Sequence, residues 1–231
     1  MKYNAIFFTF CFLLINCNFI FAQDHKIQFD RNAIGILIDD SNQILGTGFI
    51  CKYGNLITTC AHLFEHTGNR DQFIYRSKSG DYKAKIVYKS YERDIAILKL
   101  DTMLVNSPIP LPELFKFNNN ESLALAGYDR SASQINNTFT VSVSAVNLSG
   151  YHEEKHCYDV RKLLEFYGIA QPGYSGGPLL KWDGEVYAML QGGIPNVKNT
   201  LEEGKTMNFA LILDDLYILF DFLDFQRIIE R

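Results

Sequence analysis

The chain has 231 residues with 22 Lys+Arg against 26 Asp+Glu, a formal net charge of −4. That acidic balance, without a basic run, excludes an electrostatic partnership with nucleic acid or with an anionic membrane surface. Five cysteines in so long a chain exclude a disulfide-dense scaffold, so the fold must stand on an apolar core.

The segment Met1 to Ala22 opens with Lys2, runs through Ile6, Phe7, Phe8, Phe10, Phe12, Leu13, Leu14 and Ile15, and carries no acidic residue. It reads as a signal peptide cleaved after Phe21-Ala22, because Asn16, Cys17 and Asn18 interrupt an apolar run shorter than the roughly 20 residues that a membrane span needs. Cys17 as a lipid-bearing cysteine is disfavoured, since Leu14-Ile15-Asn16 lacks small residues. The product is expected to be exported, periplasmic or secreted, and not inserted in the membrane. It would span residues 23–231, carry 21 basic and 26 acidic side chains, or −5, and keep the odd set Cys51, Cys60 and Cys157.

From there, short runs rich in β-branched and aromatic residues alternate with Gly, Asn, Asp and Ser turns. Ala33–Ile38, Phe49–Cys51, Leu56–Thr58, Lys85–Tyr88 and Ile95–Leu100 come first, with Gly54-Asn55 as a tight turn in which both residues tolerate positive φ. Pro108, Pro110, Pro112 and Asn118-Asn119-Asn120 then mark an extended connector. A second set follows at Leu123–Ala126, Phe139–Val146, Leu163–Ile169, Pro178–Leu180 and Val186–Leu190, the last entered through Asp183-Gly184. The pattern is all-β in two parts, about 30–105 and about 118–211. Leu216, Leu219, Phe220, Leu223 and Ile228 add a terminal amphipathic helix over about 213–230.

Gly173-Tyr174-Ser175-Gly176-Gly177-Pro178 is the most informative string, because glycines let a serine sit on a sharp turn where backbone N–H groups converge on an oxyanion. A nucleophilic serine needs a base, and the base an orienting acceptor. His62 follows the apolar run Leu56 to Ala61, and Asp94 directly precedes Ile95-Ala96-Ile97-Leu98; both are candidates at strand ends.

Four ordered motifs, Gly46-Thr47-Gly48-Phe49, Leu56 through His62, Asp94 through Leu98 and Gly173 through Pro178, resemble the trypsin-like serine proteases. Asn208-Phe209-Ala210 before a terminal helix is similar to the bacterial branch typified by the protease domain of the HtrA enzymes, here without a PDZ domain. The resemblance implies two six-stranded antiparallel β-barrels and endopeptidase chemistry on polypeptide substrates, with no cofactor and no metal. It implies His62 as base, Asp94 as the group that fixes its tautomer, Ser175 as nucleophile, and the N–H groups of Gly173 and Ser175 as oxyanion hole. Ile169, Gln191, Gly192 and Gly193 would line the pocket for the residue before the cleaved bond, favouring a small or medium apolar side chain, and Gly192 and Gly193 would pair with an extended substrate. Tyr174 replaces the aspartate that pairs with a new N-terminus in digestive relatives, so that activation step is not expected, and the usual histidine-loop disulfide should be absent.

Three other readings compete with this one. The G-x-S-x-G elbow of α/β-hydrolases needs a histidine after the serine, whereas His25, His62, His66, His152 and His156 all precede Ser175. His152-Glu153-Glu154-Lys155-His156 matches the H-E-x-x-H zinc helix but lacks a sustained apolar face, and reads as a solvated loop, with adventitious zinc binding helped by Cys157 as a minor possibility. A catalytically silent binding module on the same fold is the remaining alternative, against which all three triad residue types stand. No pattern specifies an oligomeric state.

Overall fold

The computed structural model describes residues 27, 29–30, 32–111, 116, 122–128, 141–155, 160–168, 170–194, 206–214 and 216–225. The expected leader, Ile169, His156, Cys157 and the end of the chain after 225 lie outside them.

Twelve strands form two closed antiparallel barrels. The first comprises β1 (Ile34–Ile38), β2 (Ile44–Ile50), β3 (Leu56–Thr59), β4 (Gln72–Ser77), β5 (Gly80–Ser90) and β6 (Ile95–Leu100), in the order β1-β2-β3-β6-β5-β4. It closes where Leu37 pairs with Tyr75. The second comprises β7 (Ser122–Tyr128), β8 (Val141–Lys155), β9 (Val160–Gly168), β10 (Pro178–Leu180), β11 (Val186–Ile194) and β12 (Thr206–Ile212), in the order β10-β11-β12-β9-β8-β7. Leu179 opposite Leu125 closes it. Closure removes the exposed sheet edges that invite aggregation.

The strands with β-branched runs are those buried on both faces. Every residue of β1 is buried, as is every residue of β3. β4 was not expected from the sequence, because Gln72, Arg76 and Ser77 dilute its apolar content; its core face is Phe73, Tyr75 and Ser77, alternating as a half-buried strand should. Phe73 stacks on Phe64 at 4.7 Å between ring centroids. β12 was represented only by its Asn208-Phe209-Ala210 motif.

Gly54 and Asn55 do lie between β2 and β3, but neither adopts positive φ; Lys52 does, at 63°. The glycine is needed for room instead, since a Cβ there would stand 1.9 Å from the Val105 carbonyl oxygen. His152–Lys155, expected in a loop, belong to β8, where His152 pairs with Leu163 and Lys155 with Val160. The helical face required by a zinc H-E-x-x-H motif is therefore not formed. The long β8–β9 hairpin wins because β9 supplies a full ladder of partners for these polar residues.

The connector is stitched to both barrels: Ile109 N–H donates to the Ile50 carbonyl at 3.1 Å and Val186 N–H to the Pro110 carbonyl at 2.9 Å. Helix α1 (Leu216–Phe225) folds back onto the first barrel, with Leu216, Phe220 and Leu223 buried. Phe220 meets Tyr53 edge-on at 5.9 Å and Tyr217 Oη donates to the Leu111 carbonyl at 2.9 Å. One apolar cluster thus runs from β1 and β3 through Ala124, Leu180 and Met189 to α1.

Candidate active site

His62 is delivered by β3, whose four residues are all buried, followed by buried Cys60 and a one-turn 3-10 helix, Ala61–Phe64. Ala61 and Phe64 anchor that turn in the core and leave the His62 side chain 35% exposed. Asp94 opens β6 in the left-handed region, at φ 52°, a conformation that costs a non-glycine residue about 1–2 kcal/mol and is held by its surroundings. The surroundings are visible. Asp94 N–H donates to the Tyr91 carbonyl at 3.3 Å, and its carboxylate oxygen Oδ1 accepts the His62 backbone N–H at 2.8 Å. The imidazole Nδ1 lies 3.1 Å from Oδ1 and 2.9 Å from Oδ2. A carboxylate only accepts, so Nδ1 carries the proton and Nε2 keeps a lone pair.

Ser175 sits on a turn pressed against the same strand ends. A Cβ on Gly176 would fall 2.2 Å from the Thr47 carbonyl oxygen and 2.3 Å from Thr59 Oγ1, three residues before His62; one on Gly177 would fall 2.3 Å from the Ala126 carbonyl. Only glycine permits that approach. Thr47 is the clamp. Its N–H donates to the Ser175 carbonyl at 2.8 Å, its Oγ1 donates to the Gly173 carbonyl at 2.6 Å, and the same Oγ1 accepts Tyr128 N–H at 3.0 Å. Thr59 Oγ1 donates in turn to the Thr47 carbonyl at 2.7 Å. Thr47 stands inside a quoted motif, yet its linking role required the second barrel to be seen. Tyr174 is buried against Gly127, so its ring serves as core where digestive relatives carry a charge.

The backbone amides of the turn fall into two sets. Tyr174 N–H donates to Gln171 at 3.0 Å, Gly176 N–H to Leu190 at 2.8 Å and Gly177 N–H to Tyr174 at 2.8 Å. Among the described residues, the N–H groups of Gly173 and Ser175 donate to no backbone carbonyl. Gly173 takes φ 106°, which a side chain would resist. Two such amides flanking a serine are what an oxyanion needs.

Cys60 lies behind the histidine. Its Sγ donates to the Leu190 carbonyl at 3.2 Å, and burial first, then the neighbouring Asp94 charge, push its thiol well above the ordinary range. Cys60, His62 and Asp94 place one ligand-type atom each within 4.8 Å of one another. A protonated, carbonyl-bonded thiol and a carboxylate already taken up by the imidazole suit a hydrogen-bonded wall, and a cation would have to break both.

Gln191, Gly192 and Gly193, expected to line a substrate pocket, lie in β11, where β10 pairs only as far as Met189. Among the described residues a Cβ on Gly192 would meet nothing within 4 Å, so the sheet face it would point to is open there. Gln191 accepts a hydrogen bond on Oε1 from Arg161 Nη2. Gly193 pairs with Asn208, which is fully buried and donates through Nδ2 to the Gly168 carbonyl at 3.3 Å. Arg161 belongs to no motif in the sequence, because a lone charged residue in a strand carries no spacing signal, and Asn208 stands there only within Asn208-Phe209-Ala210. His66 lies in an exposed turn after the 3-10 helix.

Two closed six-stranded barrels meeting at a histidine–aspartate pair and a glycine-flanked serine define a trypsin-like fold. The family model of the trypsin-like peptidase domain matches residues 46–189, and the chain belongs to that family. It is 28% identical over 147 residues to a probable periplasmic serine endoprotease DegP-like of Chlamydia muridarum, covering 62% of this chain and 27% of the relative. It is 28% identical over 177 residues to serine protease HTRA1B of Danio rerio, covering 74% of this chain and 33% of the relative. The chain thus spans between a quarter and a third of the length of these relatives. Among solved structures, the MamO protease domain of Magnetospirillum magneticum superposes with TM-score 0.62 at 13% identity, covering 82% of this chain and 96% of that one. The inactive form of the Rv3671c protease superposes at 0.60 with 15% identity over 81% of this chain and 86% of that one. At these identities the superpositions speak for the fold.

Proposed function

We propose that the chain is a serine endopeptidase that cuts polypeptides through His62, Asp94 and Ser175. The observation that carries this reading is the Asp94 carboxylate bound at 2.9 Å to His62 Nδ1 beside a serine turn in which two N–H groups donate to no backbone carbonyl among the described residues. His62 Nε2 takes the Ser175 hydroxyl proton as Oγ attacks the scissile carbonyl. The carbonyl oxygen becomes an oxyanion between the N–H groups of Gly173 and Ser175. Nε2 then gives its proton to the leaving amine, which departs and leaves an acyl-enzyme on Oγ. Water attacks the ester, His62 takes its proton, and release of the acid returns the proton to Oγ. Asp94 keeps the proton on Nδ1 and stabilises the transient imidazolium. The leader over Met1–Ala22 directs export, and polypeptides outside the cytoplasm would be the substrates.

The test is to incubate residues 23–231, and the Ser175→Ala variant, with a fluorophosphonate probe and casein. Labelling at Ser175 and casein cleavage, both absent in the variant, are expected. Folded wild-type protein that does neither would favour the silent binding module.

A further inference from the structure

Arg161 is the unused charge of this site. It stands on β9 opposite Glu154 of β8, with its side chain 19% exposed. Its Nη2 donates to Gln191 Oε1, which brings the guanidinium to the β11 edge where Gly192 faces open space. Gln191 sits at an irregularity in the β11–β12 ladder, between Leu190 and Gly192, and such bulges re-aim side chains beside active sites. Two donors of the pair, Arg161 Nε and Gln191 Nε2, are buried and meet no acceptor among the described residues. Burying an N–H without an acceptor costs about 1–3 kcal/mol, more when the group is charged. The same arginine is near enough to Cys60 for its charge to act on that thiol, and Cys60 adjoins His62 and Asp94. Among the described residues one carboxylate approaches the guanidinium: Glu154, at 3.5 Å from Nη1, itself 43% exposed. That spacing is longer than a charge-assisted hydrogen bond.

We propose that Arg161, held by Gln191, is a specificity residue that binds an acidic side chain of the substrate in the segment preceding the cleaved bond. The proposal rests on the peptidase reading for its geometry, because it places the substrate strand along Gln191–Gly193. With the Gln191 oxygen taken up by Arg161, the groups of the pair left unmet are N–H donors, complementary to a carboxylate, which offers two acceptor oxygens and the opposite charge. The open face at Gly192 gives the entering side chain a route. Glu154 competes for the same cation across the hairpin, so it sets how much of the charge a substrate meets.

The test reads binding apart from catalysis. The Ser175→Ala protein, alone and with Arg161→Gln, Arg161→Lys or Glu154→Gln added, is exposed to extended peptides in which Glu or Gln is scanned through successive positions, and bound peptides are quantified by mass spectrometry. At one or more positions Glu is expected to bind about tenfold better than Gln, the scale of one charge-assisted hydrogen bond. The preference should vanish in Arg161→Gln, persist in reduced form in Arg161→Lys, grow in Glu154→Gln and weaken with added salt. Equal binding of Glu and Gln peptides by the Arg161 protein, or a Glu preference that survives Arg161→Gln, overturns the proposal. Fluorophosphonate labelling of the Ser175-containing forms of each variant reports separately on fold and triad. Loss of labelling in the wild type sinks the peptidase reading, whereas a labelled wild type without carboxylate preference sinks this one alone.

Discussion

At the scale of single residues, the Asp94 carboxylate does two jobs that a substitution can separate. It holds the His62 backbone N–H at 2.8 Å through Oδ1 and the ring Nδ1 through both oxygens. In Asp94→Asn the amide oxygen can still accept the backbone N–H, but the NH₂ group presents donors to Nδ1 and reverses the tautomer, putting the proton on Nε2. Peptide hydrolysis should fall by about four orders of magnitude while thermal stability moves little. Measuring kcat and melting temperature on the same preparation checks this; an active Asp94→Asn enzyme would remove Asp94 from the triad. Thr47 gives the complementary case. Thr47→Val keeps the volume but strips the hydroxyl that joins the half-buried Gly173 O to the buried Tyr128 N, removing both hydrogen bonds at about 1–3 kcal/mol in all. Because one of the two groups is the carbonyl of Gly173, the loss should appear in kcat as well as in chemical denaturation.

At the scale of elements, strands buried on both faces were legible because their runs are nearly continuous: Ala33–Ile38 contains the whole of β1, and Ile95–Leu100 is β6. β4 was not, since Gln72 and Arg76 on one face and Ser77 on the other break up the run of Phe73, Ile74 and Tyr75. The site divides the same way. Ser175 was legible from its glycines, whose reason proved to be contact with Thr47 and Thr59, and His62 and Asp94 from the apolar runs beside them. Arg161 was not, because it reaches Gln191 across 30 residues of chain, and only the folded ladder of β9, β12 and β11 brings the two together. The terminal helix was legible from its apolar spacing, and its docking can be tested. Phe220 is fully buried between Tyr53 and the cation of Lys52, whose Nζ lies 5.8 Å from the ring centroid. Phe220→Ala should cost about 3–5 kcal/mol in urea denaturation, with fluorophosphonate labelling of the folded protein unchanged, since α1 packs away from Ser175 on the β2–β3 turn. A loss below about 1 kcal/mol would mean that the helix is not part of the cooperative unit.

At the scale of the molecule, the core carries protons whose affinity depends on folding. Burial pushes the Cys51 thiol up to about 12, and pushes Cys60 and the Tyr75 hydroxyl well above their ordinary values of 9.0 and 10.0. All three are therefore protonated in the folded state at pH values where the unfolded chain releases them. A group whose folded value is raised contributes stability that is complete below its unfolded value and is lost as pH rises toward its folded one. Stability should accordingly hold between pH 7 and 8, begin to fall as the pH passes about 9, and fall faster beyond 10 when Tyr75 joins the two thiols. Each proton released only on unfolding steepens the slope by about 1.4 kcal/mol per pH unit. Rising net negative charge acts in the same direction at alkaline pH, so the comparison that isolates the thiol is Cys51→Ala. That variant loses packing at every pH, but its urea-denaturation free energy should decline between pH 9 and 11 with a slope shallower than wild type by about one proton's share. Parallel slopes would mean that the Cys51 thiol ionises inside the folded barrel, which a fully buried sulfur whose one hydrogen-bond partner among the described residues is Thr58 Oγ1, at 3.4 Å, does not favour.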